Sequence, residues 1–173
     1  MNYLGIDKAS ISNGPGVRVV LWVSGCTVHC KGCQNPESWN FCAGKLFDEN
    51  AKKELFNALS KPYIRGITFS GGNPIERNNI GCIYDLIKEI KIEFPDKDIW
   101  LYTGWTLTIN DFQQLYLDMT MPDEIYKLCD VVVDGPYIEE QRDITLKFRG
   151  SANQRLIDVK ETLKHGKIIT VQN

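Results

Sequence analysis

The chain has 173 residues, of which 43% are hydrophobic and 24% charged, with a formal net charge of −2. These values are typical of a globular protein, so we expect residues 1–173 to form a single domain. They give no electrostatic reason to expect nucleic acid or an anionic membrane as a partner, and no apolar run is long enough to span a bilayer. The first ten residues lack the basic start and apolar segment of a secretory signal, so we expect a cytoplasmic protein.

Hydrophobic periodicity and turn residues predict strands that alternate with helices. In the first half of the chain, we predict a strand at 17–24, a helix at 49–59 with Asp48 as its N-cap, a strand at 66–69 and a helix from 80 to 94 that Pro95 ends. In the second half, we predict a strand at 98–102, irregular helical segments at 111–119 and 123–128, a strand at 131–133 and a last strand at 167–171.

The alternation predicts an α/β protein with a parallel sheet. Polar or glycine-rich breaks follow the predicted strands, at 26–33, 71–72, 103–104 and 134–135. In parallel sheets ligands bind at the carboxyl ends of the strands, so these breaks are expected at one edge. The strands are too few for a closed eight-stranded barrel, and we therefore expect a partial, open (βα) barrel.

Three of the six cysteines fall within eight residues, at Cys26, Cys30 and Cys33. In a reducing compartment such a cluster indicates metal ligation rather than disulfides. Thiolates select iron–sulfur clusters, zinc or copper(I). Three ligands on a four-iron cluster leave one iron open, and an open metal position is typical of a catalytic site. The flanking Gly25 and Gly32 allow the loop to turn tightly.

Structural zinc is the alternative reading of this spacing. Zinc takes four ligands, and His29, Cys42 or a distant cysteine could complete the set. Zinc sites usually consist of two paired CxxC arms, which favours a cluster without excluding zinc. We interpret His29 as a solvent-facing or partner-facing residue rather than a ligand.

The CxxxCxxC spacing after a first strand is similar to that of the radical S-adenosylmethionine superfamily. Within it, the chain resembles the glycyl-radical activases that serve anaerobic ribonucleotide reductases. The matching elements run through most of the chain: residues 13–18, the cysteine loop and Gln34-Asn35, Trp39-Asn40, Ser70-Gly71-Gly72-Asn73-Pro74, Asp134-Gly135, and the segments 148–151 and 153–155.

The resemblance implies that Cys26, Cys30 and Cys33 hold a 4Fe-4S cluster whose open iron takes the amino and carboxylate groups of S-adenosylmethionine. An electron from the cluster would break a carbon–sulfur bond, giving methionine and a 5′-deoxyadenosyl radical. That radical would abstract a hydrogen from a glycine of the large reductase subunit. A flavodoxin or ferredoxin would be the electron donor. The residues that the resemblance assigns to S-adenosylmethionine are Gly32, Cys33, Gln34, Gly71, Gly72 and Asn73.

The chain departs from the family pattern at Asn73, where an acid usually accepts a hydrogen bond from the ligand's amino group. A neutral acceptor forms a weaker bond than a charged one.

The role of residues 148–155 is open between a docking surface for the reductase subunit and a structural turn. Two other functions also remain: a different radical S-adenosylmethionine enzyme (an activase of another glycyl-radical enzyme, or a small-molecule enzyme of the deazaguanine-synthesis type), and a zinc-stabilised interaction module.

Overall fold

A seven-stranded sheet forms the centre of the protein in the computed structural model, which describes residues 1–113 and 124–171. The strands are β1 (Asn2–Ser10), β2 (Val17–Val23), β3 (Lys45–Leu46), β4 (Ile64–Gly71), β5 (Asp98–Tyr102), β6 (Val131–Asp134) and β7 (Arg155–Asp158). The α-helices are α1 (Glu49–Leu59), α2 (Ile80–Glu93), α3 (Asn110–Gln113) and α4 (Val159–His165).

The middle of the sheet is parallel and its edges are antiparallel. The strand order is β3-β1-β2-β4-β5-β6-β7. Strands β2, β4, β5 and β6 pair in parallel, whereas β1, β3 and β7 run antiparallel to their neighbours. The predicted α/β class is therefore confirmed, and the sheet is mixed rather than wholly parallel.

Helices α1, α2 and α3 pack on one face of the parallel strands. Leu21 of β2 and Phe69 of β4 belong to the same buried cluster as apolar residues of these helices, which include Leu55, Leu59, Ile83, Ile87, Ile90 and Phe112. Because successive side chains of a strand point to opposite faces, Trp22, Ser70 and Tyr102 lie on the face away from these helices.

Most predicted elements are found close to their expected positions. The helix at 49–59 begins after Asp48, whose side chain accepts hydrogen bonds from the N–H groups of Asn50 and Ala51, and α2 ends one residue before the expected Phe94. Of the two irregular segments, α3 and a 3-10 turn at Tyr126–Leu128 are seen, and residues 114–123 lie outside the described part of the chain.

The predicted last strand at 167–171 is wrong. Residue Thr170 makes only an isolated bridge to Ile157, and the last strand of the sheet is β7, which pairs antiparallel with β6. After Gly166, which ends α4 in the left-handed conformation at φ 63°, two backbone hydrogen bonds connect the segment to β7, from Asp158 to Ile169 and from Val171 to Leu156. Among the residues described, no helix is long and apolar enough to cross a membrane.

Candidate functional site: the cysteine loop and the glycine turn

The cysteine loop and the glycine-rich turn after β4 lie side by side. They follow neighbouring parallel strands, so both emerge at the carboxyl edge of the sheet. The N–H of Asn73 donates to the carbonyl of Gly25 at 2.8 Å, and the N–H of Gly72 donates to the carbonyl of Val23 at 2.8 Å. Backbone hydrogen bonds thus fix the turn against the start of the cysteine loop.

Gly72 is required by the closeness of this contact. A Cβ added at residue 72 would lie 2.5 Å from the carbonyl oxygen of Gly25. That distance is well inside van der Waals contact, and the obstacle is backbone that cannot rotate away. The absence of a side chain at Gly72 therefore sets the spacing between the two segments.

We expect Gly72→Ala to push the two segments apart. Overpacking of this kind costs about 1–3 kcal/mol, so the melting temperature of the metal-free protein should fall, together with its iron content after anaerobic reconstitution. Gly81→Ala is the matched control, because a Cβ there meets nothing within 4 Å and alanine favours the helix. Equal stability and iron content for the two variants would contradict the assigned contact.

Two further polar residues hold the same segments together, and the sequence reasoning missed both. Glu76 accepts hydrogen bonds through Oε1 from the N–H and the hydroxyl of Thr27, each at 2.8 Å. The Nδ2 group of Asn79 donates to the carbonyl oxygens of Ser24 at 2.8 Å and Asn73 at 3.1 Å. Both side chains are buried. The signal in the sequence was a run of polar residues after Pro74 that reads as an ordinary connection to a helix.

Backbone N–H groups surround the three thiols. The N–H of Asn35 donates to the sulfur of Cys33 at 3.4 Å. Burial raises the pKa of the Cys26 thiol, and the N–H groups of Val28 and His29 oppose that effect. Burial likewise raises the pKa of Cys30, where the N–H of Tyr137 opposes it.

N–H donors directed at sulfur stabilise thiolates and tune iron–sulfur clusters. The donor set and its surroundings therefore fit a cluster of this kind. Among residues 1–113 and 124–171, no three His, Cys, Asp or Glu side chains converge as closely as a single metal ion requires. A four-iron cluster places its ligands on separate irons, so it does not need that convergence.

A cavity of about 480 Å³ adjoins the cysteine loop on the sheet face away from the helices. Its lining includes Cys33, Gln34, Trp22, Ser70, Tyr102 and Arg149. A volume of this size suits a small organic ligand. The open face of the sheet, the cysteine loop and the segment near residue 149 thus enclose one space.

The predicted ligand-binding residues divide between two places. Cys33 and Gln34 line the cavity, with Gly32 beside them in the left-handed conformation at φ 76°. Gly71, Gly72 and Asn73 are not among the residues that line it. Gly72 and Asn73 instead contact Gly25 at the start of the cysteine loop, and Gly71 lies against Val23 of β2. Asn73 is 1% exposed.

Three other residues considered from the sequence have structural contacts. His29 is exposed and stacks on Trp39, with ring centroids 4.6 Å apart. The hydroxyl of Thr103 accepts a hydrogen bond from the N–H of Trp105 at 3.1 Å. Asp134 is fully buried and forms an ion pair with Arg155. These contacts give each of the three residues a structural role, so their presence is explained without a role in ligand binding.

The segment 148–155 forms a hydrogen-bonded turn at the wall of the cavity. Gln154 accepts from the N–H of Gly150 at 2.8 Å and donates to the carbonyl of Gly135 at 3.1 Å. Asn153 donates to the carbonyl of Pro136 at 2.8 Å. A turn is therefore present, as one of the two readings of this segment expects, and its amide side chains cap backbone groups.

Arg149 differs from the other polar residues of this turn. One of its terminal nitrogens donates to the carbonyl of Gln154 at 2.9 Å. Its Nε is buried and has no hydrogen-bond partner among the described residues. Arg149 also lines the cavity, so its guanidinium retains capacity to bind a further group there.

The class of protein that this fold and site define carries a single iron–sulfur cluster. A family model described as "4Fe-4S single cluster domain" matches residues 12–157. The match includes the cysteine loop, the glycine turn and the segment 148–155. It supports a cluster over the zinc site that the cysteine spacing left open.

Curated relatives narrow the class. The chain is 43% identical over 156 residues to a protein of Haemophilus influenzae, covering 89% of this chain and 96% of the relative. It is 44% identical to a protein of Enterobacteria phage T4 over 90% of this chain and 93% of the relative. A protein of Escherichia coli K12 is 36% identical to the chain, over 89% of this chain and 96% of the relative.

All three relatives carry the name anaerobic ribonucleoside-triphosphate reductase-activating protein. Identity of this level over nearly the whole of both chains places them in one family. The chain belongs to the family of anaerobic ribonucleoside-triphosphate reductase-activating proteins.

Proposed function

We propose that the protein activates an anaerobic ribonucleotide reductase by generating a glycyl radical on its large subunit. The observation that carries the proposal is the cysteine loop held against the glycine turn at the carboxyl edge of the sheet, beside a cavity open to a small ligand. The family of the chain supports the same function.

The proposed ligands of a 4Fe-4S cluster are Cys26, Cys30 and Cys33. When bound, the cluster supplies the electron that cleaves S-adenosylmethionine to methionine and a 5′-deoxyadenosyl radical. The backbone N–H groups directed at the sulfurs would stabilise the thiolates once the cluster is bound. Because burial raises the pKa of Cys26 and Cys30, cluster binding releases protons from these thiols.

The residues proposed to bind S-adenosylmethionine are Gly32, Cys33, Gln34, Gly71, Gly72 and Asn73. Gly72 brings bare backbone to the edge where the ligand's amino-acid end would lie. Cys33 and Gln34 line the cavity that would hold the rest of the ligand. Its walls, Trp22 and Tyr102 among them, would limit the access of water to a radical.

A partial, open (βα) barrel is the proposed architecture for this chemistry. Strands β2, β4, β5 and β6 are consecutive neighbours, and the helices that connect them share one buried cluster. Doubly wound sheets have helices on both faces, whereas in a barrel they lie outside. The cavity then occupies the inner face of the barrel. We propose that this domain comprises residues 1–173.

The proposed partners are the large glycyl-radical subunit of the reductase and a flavodoxin or ferredoxin electron donor. Arg149, at the wall of the cavity, is proposed to contact the reductase subunit. We propose a cytoplasmic location and no nucleic-acid or membrane partner, in keeping with a net charge of −2.

Reductive cleavage of S-adenosylmethionine tests the proposed chemistry. The protein is purified anaerobically, its iron and sulfide are measured, and it is incubated with dithionite and S-adenosylmethionine. We expect methionine and 5′-deoxyadenosine in equal amounts, detected by chromatography. A cluster-loaded protein that forms neither product would contradict the proposal.

A further inference from the structure

Glu76 is a buried carboxylate that forms no ion pair within the part of the chain that the structure describes. The residue is 5% exposed. None of the ion pairs in residues 1–113 and 124–171 includes it. The remaining residues, 114–123 and 172–173, contain no lysine, arginine or histidine. No cationic side chain of the described residues therefore lies within ion-pair distance of Glu76, and the remaining residues contain none that could.

The hydrogen bonds of Glu76 all reach one of its two oxygens. Oε1 accepts from the N–H and the hydroxyl of Thr27 at 2.8 Å each, and Nδ2 of Asn73 lies 3.4 Å away. Three donors on one oxygen suit a carboxylate, which only accepts hydrogen bonds. Oε2 receives no hydrogen bond from the described residues, so this oxygen retains its capacity to accept.

Glu76 lies where the two halves of the proposed site meet. Thr27 directly follows Cys26 in the cysteine loop, and Asn73 belongs to the glycine turn. The N–H of Asn73 in turn donates to Gly25. A group that binds at this edge, between the cysteine loop and the turn, would lie next to the carboxylate.

A buried carboxylate without an opposite charge is unfavourable. A buried polar atom whose hydrogen-bonding capacity the protein leaves unused is a candidate for an interaction with a ligand. The complementary group is a small cation that donates several hydrogen bonds, and a primary ammonium group meets both conditions. Asn73, which is neutral, cannot supply the charge.

We propose that Glu76, through Oε2, is the anionic acceptor for the ammonium group of a ligand bound at this edge. The inference rests on the proposed function, which makes that ligand the amino-acid end of S-adenosylmethionine. Glu76 then provides the negative charge that Asn73 lacks, and Oε1 keeps the cysteine loop in place during binding.

The test measures S-adenosylmethionine affinity in three cluster-loaded variants. Glu76→Gln removes the charge and keeps an oxygen that can accept from Thr27. Asn73→Asp adds a charge in the adjacent turn, and the double variant moves the charge from residue 76 to residue 73. Dissociation constants come from titration followed by the electron paramagnetic resonance of the reduced cluster. Iron content and the melting temperature of the metal-free protein are recorded alongside.

Glu76→Gln should weaken S-adenosylmethionine binding roughly 10- to 100-fold, the usual effect of losing a hydrogen bond to a charged group. The double variant should recover most of that loss. 5′-Methylthioadenosine is the control ligand, because it keeps the adenosyl part and lacks the amino-acid end. Its affinity should be the same in all variants, which a general distortion of the site would not allow.

Each other result has a definite meaning. If the wild-type protein binds and cleaves S-adenosylmethionine and Glu76→Gln binds it equally tightly, the role of Glu76 is overturned and the proposed function stands. If the wild-type protein neither binds nor cleaves it, both are overturned. If Glu76→Gln loads no cluster, the double variant decides: restored loading and binding support the inference, and continued failure makes Glu76 a structural clamp.

Discussion

Replacement of Cys26, Cys30 or Cys33 by alanine is expected to abolish cluster assembly. Each removes one of three protein ligands, and the loop has no fourth thiol within it to take over. Iron and sulfide after anaerobic reconstitution should fall to background, as should the absorbance near 400 nm. Cleavage of S-adenosylmethionine should be lost in parallel.

The other cysteines provide matched controls. Cys42 is exposed and near the same loop in sequence, so Cys42→Ala should retain both the cluster and the stability of the protein. Cys129 is buried among apolar residues, where burial raises the pKa of its thiol, so Cys129→Ser should keep iron at some cost in stability. Iron loss in Cys42→Ala as complete as in Cys33→Ala would indicate a site with four cysteine ligands.

Arg155→Ala is expected to destabilise the protein by about 3 kcal/mol. Asp134 is fully buried, and Arg155 donates to its Oδ1 at 3.0 Å and to the carbonyl of Leu107 at 2.7 Å. The same contact with Asp134 raises the pKa of Arg155. Removal of the arginine leaves a buried carboxylate whose one remaining partner among the described residues is the N–H of Leu107. The loss should be measured by denaturant unfolding of the metal-free protein.

Lys164→Ala is the control for Arg155→Ala. It breaks an exposed ion pair with Glu161 at 3.4 Å, which contributes little, so the stability of this variant should stay within about 0.5 kcal/mol of wild type.

Arg149→Ala tests docking to the reductase. It should keep cleavage of S-adenosylmethionine while lowering radical formation on the reductase subunit. A parallel fall of stability and both activities in Arg149→Ala would make its role structural.

The parallel core of the sheet could be predicted because its strands are apolar runs bounded by clear breaks. Val131, Val132 and Val133 are fully apolar and end at Asp134-Gly135. The edge strands could not be predicted in this way. β1 carries Asp7 and Lys8 near its end and is largely half-exposed, so its pattern is weak, and it forms through its antiparallel pairing with β2.

The two halves of the site were predictable as separate motifs, whereas the contacts that join them were not. Glycines 71 and 72 have an evident place in a turn, but the approach of Gly72 to Gly25 depends on the parallel pairing of β2 and β4. Glu76 and Asn79 look like surface residues before a helix. They are buried because the cysteine loop folds over them, which is a tertiary effect absent from local sequence.

Formation of a glycyl radical on the reductase is the decisive test of the proposed function. The protein is mixed anaerobically with the large subunit of an anaerobic ribonucleotide reductase, a reductant and S-adenosylmethionine, and the electron paramagnetic resonance spectrum is recorded. We expect a doublet signal from a glycyl radical on the large subunit, which disappears when Cys30→Ala replaces the wild-type protein. Cleavage of S-adenosylmethionine with no radical on that subunit would contradict the account and would favour an enzyme that acts on another substrate.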